Sequence, residues 1–196
     1  MKWIVITAPE FIEGEAEYIE SLFQRGLDIL HLRKPGSDIT DCRRLLDSIN
    51  SKWRAQIVVH DHFSLCAEYQ LKGVHLNGRN PQPPVGHEGT VSRSCHSLEE
   101  IVRYKASCNY MTLSPIFNSI SKQGYLSAFT LQQLLTAREC GLIDNRVIAL
   151  GGVTLQNIPQ VRKYGFGGAA ILGDVWQRKT DSNVDEYLDS LRTALL

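Results

Sequence analysis

Short apolar runs alternate with stretches of helical periodicity along nearly the whole chain. The first run, Trp3–Thr7, precedes a helix over about Gly14–Arg25, with Tyr18, Ile19, Leu22 and Phe23 on one face and Gly26 as its stop. The second, Ile29–Arg33, precedes Ile39, Cys42, Leu45, Leu46 and Ile49, at helical spacing between Asp38 and Ser51. Ile57–Asp61, a short helix near Leu65–Gln70, and Gly73–Leu76 follow. There the alternation breaks. Gly78, Pro81, Pro83, Pro84 and Gly86 are loop chemistry, so the fourth helix is reduced or missing. The pattern resumes with Val91–Cys95, a helix capped by Ser97 and Glu100, and Tyr110–Leu113. A loop from about Pro115 to Phe129 has the length of an active-site lid. Thr130 and Gln133 cap the next helix. Val147–Leu150, a helix over about Leu155–Tyr164, Ala169–Leu172 and a closing helix over about Val184–Leu195 complete the chain.

Strands alternating with helices predict an α/β fold with a parallel sheet. Their number predicts closure into a (β/α)8 TIM barrel, one domain over residues 1–196. An open doubly wound sheet is the runner-up. A chain of 196 residues that is 43% hydrophobic has the size and composition for one such core. Its 21 basic and 21 acidic residues cancel, so no global field favours nucleic acid or an anionic membrane. Any anionic ligand must be held by local charge. The apolar runs are too short to span a bilayer, and MKWIVIT, cut off by Pro9 and Glu10, reads as a strand and not as a signal peptide. Five cysteines, an odd count without a CxxC pair, predict reduced thiols in a cytoplasm. Cys95, at a strand end, is the one considered near a site. Nothing in the sequence fixes the oligomeric state, which leaves room for a homo-oligomer.

In a barrel, chemistry collects where strands end at their C-terminal side. The glycines of ALGGV and AILGD, at Gly151, Gly152 and Gly173, let backbone N–H groups approach an anion and predict a phosphate clamp. Arg33, Lys34 and Lys122 add more positive charge than one monophosphate needs, which predicts a diphosphate as second ligand. His60 and His62, two apart, could pair on zinc, but no further ligand recurs at convincing spacing. Asp61 beside diphosphate oxygens suits magnesium better. His75, inside a strand, reads as a hydrogen-bonded core residue.

Taken in order, these motifs resemble the thiamine phosphate synthase family, including its thiazole tautomerase branch. His31–Lys34 (HLRK) looks like the family's Gln-x-Arg-x-Lys, His60–Asp61 like its Asn-Asp, and Ser94–His96 like its Ser-Ala-His. Gly73–Leu76 matches its GVHL, and Ser114–Lys122 is similar to Gly-Pro-Ile-Phe-x-Thr-x-Thr-Lys. The resemblance implies a transferase that joins hydroxymethylpyrimidine diphosphate to thiazole phosphate, by way of a pyrimidine carbocation, and releases pyrophosphate. It implies catalytic roles for Arg33, Lys122 and Ser94, and magnesium on Asp61. Substrate positions would be His31, Lys34, His60, Asn80, Ser119, Ser121, Gly152, Leu172 and Gly173. The partners implied are small phosphate and diphosphate substrates.

This chain also departs from the pattern. His31 replaces a glutamine, His60 an asparagine, and Lys34 stands one place early. Asn80 replaces a second magnesium-binding aspartate, so magnesium would be weakly held. Pro115 occupies the position of the tautomerase's catalytic histidine. Two alternatives follow: a thiazole phosphate isomerase with its base moved to His60 or His31, and a non-catalytic barrel that binds a thiamine precursor for regulation.

Overall fold

The computed structural model of the chain describes residues 1–118 and 127–196. Eight parallel strands close into a barrel in sequence order. They are β1 (Lys2–Ile6), β2 (Ile29–Leu32), β3 (Ile57–Val59), β4 (Gly73–Leu76), β5 (Thr90–Cys95), β6 (Tyr110–Leu113), β7 (Val147–Leu150) and β8 (Gly168–Ile171). Closure is direct: Ile4 of β1 is in register with Ile29 of β2, and Trp3 with Ala169 of β8. The expected (β/α)8 TIM barrel is therefore the fold, and the open sheet is not.

The helices are α1 (Glu15–Gln24), α2 (Ile39–Ser48), α3 (Ser64–Glu68), α4 (Leu98–Tyr104), α5 (Leu131–Glu139), α6 (Ile158–Lys163), α7 (Gly173–Gln177) and α8 (Val184–Leu195). No helix joins β4 to β5, as the prolines there predict. Thr130 and Gln133 form a reciprocal capping box on α5. The Ser97 hydroxyl accepts from the Glu100 N–H, but the Glu100 carboxylate accepts from His96 N–H at 2.6 Å, one residue earlier than a capping box requires. Two elements have no forerunner in the periodicity: the 3-10 turn Ser51–Gln56 and α7. Both are too short to show a period.

Every residue of β2, β4, β6 and β8 is buried, because the helices cover one face of the sheet and the barrel interior the other. Outward-facing Leu30, Val74, Met111 and Ala169 pack with the helical residues Leu22, Leu46, Leu134, Val161 and Leu188. A smaller cluster fills the barrel: Ile4, Ile6, Ile29, Val58, Tyr110, Ile148 and Ala170. That interior is divided. β7, β8 and β1 supply aliphatic side chains, while β2, β4 and β5 supply the buried polar residues His31, His75 and Ser92. The functional end of the barrel inherits this division.

Between β4 and β5 the strands meet with no room for a side chain at Gly73. A Cβ there would lie 1.9 Å from the Thr90 carbonyl oxygen, its partner in register. Gly73→Ala should therefore lower stability by about 3 kcal/mol or more in urea unfolding, the range of a severe steric conflict. Gly78→Ala, with nothing within 4 Å of the added carbon, should leave it nearly unchanged.

Candidate active site

Three imidazoles meet inside the barrel. His31 Nδ1 lies 2.9 Å from His60 Nε2, and His31 Nε2 lies 2.6 Å from the Tyr110 hydroxyl. The His60 and His75 rings stack with centroids 4.2 Å apart. His75 is held at both nitrogens, by Ser92 and Ser94 hydroxyls at 2.8 Å each. Burial pushes the His31 pKa down to about 3. Burial first, and then the neighbouring imidazoles, hold His60 and His75 well below the usual histidine range. All three are neutral at physiological pH. The Tyr110 phenol is pushed up by the same burial. Among the described residues, Nδ1 of His60 is the one nitrogen of the three rings without a hydrogen-bond partner.

Above the imidazoles a cavity of about 540 Å³ opens at the C-terminal ends of the strands. His60, His75 and Ser94 lie on its polar side, Ile6, Leu150 and Leu172 on its aliphatic side, and Arg33, Arg79 and Arg93 bring positive charge. Burial and the like charge of Arg79 lower the pKa of Arg33, and Asp61 opposes them. Arg93 stacks on Tyr104, 3.7 Å from the ring centroid, and donates to the Pro81 carbonyl. An apolar wall facing a cationic rim suits an anionic ligand with an apolar body.

The sequence-derived candidates separate into distinct groups here. Arg33, His60, Ser94 and Leu172 line one cavity. His31 lies within β2, has no exposed surface, and supports His60 from below, so it cannot touch a ligand. Lys34 is a correction. It is buried against Glu15, with Nζ–O distances of 2.6 and 2.8 Å, and caps the Glu10 carbonyl. Burial raises the Glu15 pKa and lowers that of Lys34, and each partner opposes the shift of the other. The lysine closes the loop onto α1 and is no part of the cationic rim. Cys95 is also buried outside the cavity, its thiol pushed up to about 12 by burial.

Gly152 and Gly173 do not line the cavity. Gly152 has a φ of 63°, and a Cβ there would lie 2.3 Å from the Asn118 carbonyl oxygen. Its lack of a side chain is already required by packing against the chain after β6. Ser119, Ser121 and Lys122, with most of the expected lid, lie outside the described residues. Periodicity missed Arg79 and Arg93: one sits in the loop after β4, the other within β5. The usable signal was that both are cations at or near strand ends.

Asp61 does not present a magnesium site. Its Oδ1 accepts from Arg79 Nε and Nη2 at 3.3 and 3.1 Å and from Asn80 Nδ2 at 3.0 Å. Its Oδ2 accepts from Arg79 Nη2 at 3.2 Å. Asn80 also donates to the His60 carbonyl at 3.0 Å, so its amide nitrogen, and not its oxygen, faces Asp61. Magnesium requires oxygen donors, and this carboxylate is engaged by a guanidinium. The described residues do not fit the ion. One nitrogen from each of His31, His60 and His75 comes within 4.8 Å of the others, a spacing compatible with a soft metal only after rearrangement. The hydrogen bonds already made at His31 and His75 oppose that rearrangement.

The cavity, with its guanidinium groups, lies at the C-terminal mouth of a TIM barrel. The sequence profile described as thiamine monophosphate synthase matches residues 3–175, and the chain belongs to that family. It is 24% identical over 176 residues to the thiamine-phosphate synthase of Latilactobacillus sakei, covering 82% of this chain and 77% of that protein. It is 28% identical over 169 residues to that of Enterobacter sp. strain 638, covering 82% and 80%. The crystal structure of thiamine phosphate pyrophosphorylase from Bacteroides thetaiotaomicron superposes with a TM-score of 0.90 at 41% identity, over 99% of this chain and 97% of that one.

The neutral imidazoles make stability depend on pH. Their folded pKa values lie below the ordinary 6.5, so below that pH the unfolded chain takes up protons that the folded chain excludes. Stability is complete above 6.5 and falls as pH drops. Each such group adds up to about 1.4 kcal/mol per pH unit to the slope where only the unfolded chain is protonated. Urea unfolding from about pH 7 to pH 5 should show it, and His31→Gln should reduce the slope by about one proton. A flat profile would contradict neutral burial.

Proposed function

We propose that this chain works as one barrel domain and is a transferase of thiamine biosynthesis, joining hydroxymethylpyrimidine diphosphate to thiazole phosphate with release of pyrophosphate. The observation that carries the reading is the cavity itself, with an aliphatic wall, a neutral polar floor and a rim of guanidinium groups in a chain of this family. The diphosphate lies on Arg33, whose half-buried guanidinium meets negative charge as it develops on the leaving oxygen. Breaking the carbon–oxygen bond releases pyrophosphate and leaves a pyrimidine carbocation. The thiazole nitrogen then donates its electron pair to that carbon. Neutral His60 and the Ser94 hydroxyl supply hydrogen bonds to the pyrimidine without placing a repelling positive charge beside the cation. The aliphatic wall at Leu150 and Leu172 keeps water from trapping it. Lys122 is assigned to the leaving group, and Ser119 and Ser121 with Gly152 and Gly173 to the thiazole phosphate, on the sequence pattern alone.

A second reading has one observation in its favour. His60 is neutral, lines the cavity and has an Nδ1 without a hydrogen-bond partner among the described residues, as a general base for isomerising thiazole phosphate requires. Purified protein incubated with both substrates should form thiamine phosphate, and Arg33→Ala should lower the rate by about 100-fold or more. Conversion of thiazole phosphate without the pyrimidine, abolished in His60→Ala, would replace the transferase reading with the isomerase. Binding of thiazole phosphate with no turnover of either kind would make the protein a precursor-binding barrel.

A further inference from the structure

The loop after β4 places a cation where the family pattern led us to expect a metal. Asn77 fixes this loop. Its Oδ1 accepts the Arg79 and Asn80 N–H groups at 2.9 and 3.2 Å, and its Nδ2 donates to the His60 carbonyl at 3.1 Å. Arg79 is thereby aimed at Asp61, where Nε and Nη2 hold both carboxylate oxygens. Its Nη1 makes no hydrogen bond among the described residues, and the side chain is 51% exposed and lines the cavity. Position 80 is an amide and adds no charge, so one guanidinium neutralises the one carboxylate of this loop cluster. Arg33 lies close enough for its charge to be felt by Arg79 and Asp61. Two guanidinium groups thus flank the same mouth, and a planar fork with free N–H groups matches the oxygens of a diphosphate.

We propose that Arg79, seated on Asp61, takes the place of a divalent cation, so that this site binds the diphosphate group without metal. The inference rests on the reading of the cavity as a diphosphate site, but its test does not depend on turnover. Inorganic pyrophosphate is titrated into the purified protein by calorimetry, in EDTA and again in millimolar magnesium.

The wild type should bind in EDTA, with affinity within about threefold of that in magnesium. Arg79→Ala should weaken binding in EDTA by about tenfold or more, the loss expected for hydrogen bonds from a charged donor. Arg79→Lys should recover part of that loss, since the charge remains and the fork does not. The double variant Arg79→Ala with Asn80→Asp should bind only when magnesium is present. Circular dichroism on each variant checks that the exposed change leaves the barrel folded. Wild-type binding that requires magnesium overturns the proposal, as does an unaltered Arg79→Ala in EDTA or no pyrophosphate binding under either condition. Thiamine phosphate synthesis that proceeds only with magnesium would sink this inference and leave the transferase standing. Metal-free pyrophosphate binding without synthesis would do the reverse.

Discussion

Three imidazoles packed inside one barrel can be tolerated only if none carries a charge and nearly every ring nitrogen has a partner. A single buried charge here would cost several kcal/mol, and two would repel at close range. The chain meets the condition by linking the rings to Tyr110, Ser92 and Ser94 and leaving one His60 nitrogen toward the cavity. The proton positions on His31 and His60 are coupled through their shared hydrogen bond. If His31 donates to His60, the free Nδ1 of His60 carries a proton; if it accepts, that nitrogen offers a lone pair. The floor of the cavity is therefore neutral and directional, and the charge needed for phosphate must come from the rim.

The rim meets that need through the loops after β2 and β4. Arg33 leaves β2 into the cavity while its neighbour Lys34 turns away to Glu15, so adjacent cations serve opposite purposes. After β4, the Asn77 side chain replaces a turn of helix as the organiser of the backbone. It brings Arg79 to Asp61 and gives that carboxylate an organic counter-ion. The proposed transfer, which separates a diphosphate from a carbocation, needs stronger attraction at the first than near the second. A cationic rim over a neutral floor provides that asymmetry.

Much of the fold was legible because a barrel strand is a short apolar run and its helix has a period. The prolines between Pro81 and Pro84 announced the missing helix, and β4, β6, β7 and α8 fall where the patterns ended. The site was legible only in part. Strand ends and the family resemblance together brought forward Arg33, His60, Ser94 and Leu172, which line one cavity, but sequence order does not say which way a side chain turns. Lys34 therefore looked like a ligand-binding residue when it is a buried strut. His31 and His75 stand 44 positions apart, and their ring centroids come within 4.9 Å only through barrel closure. Arg79, a cation in a proline-rich loop, carries no periodic signal, and its bond to Asp61 exists only in three dimensions.

The central requirement is that the diphosphate occupies the cationic rim of this cavity. A crystal structure of the protein with pyrophosphate and thiamine phosphate tests this directly. Pyrophosphate should lie between the Arg33 and Arg79 side chains, with the pyrimidine over His60 and the thiazole against Leu150 and Leu172. Pyrophosphate bound outside this cavity, or a thiamine phosphate that leaves Arg33 and His60 untouched, would contradict it.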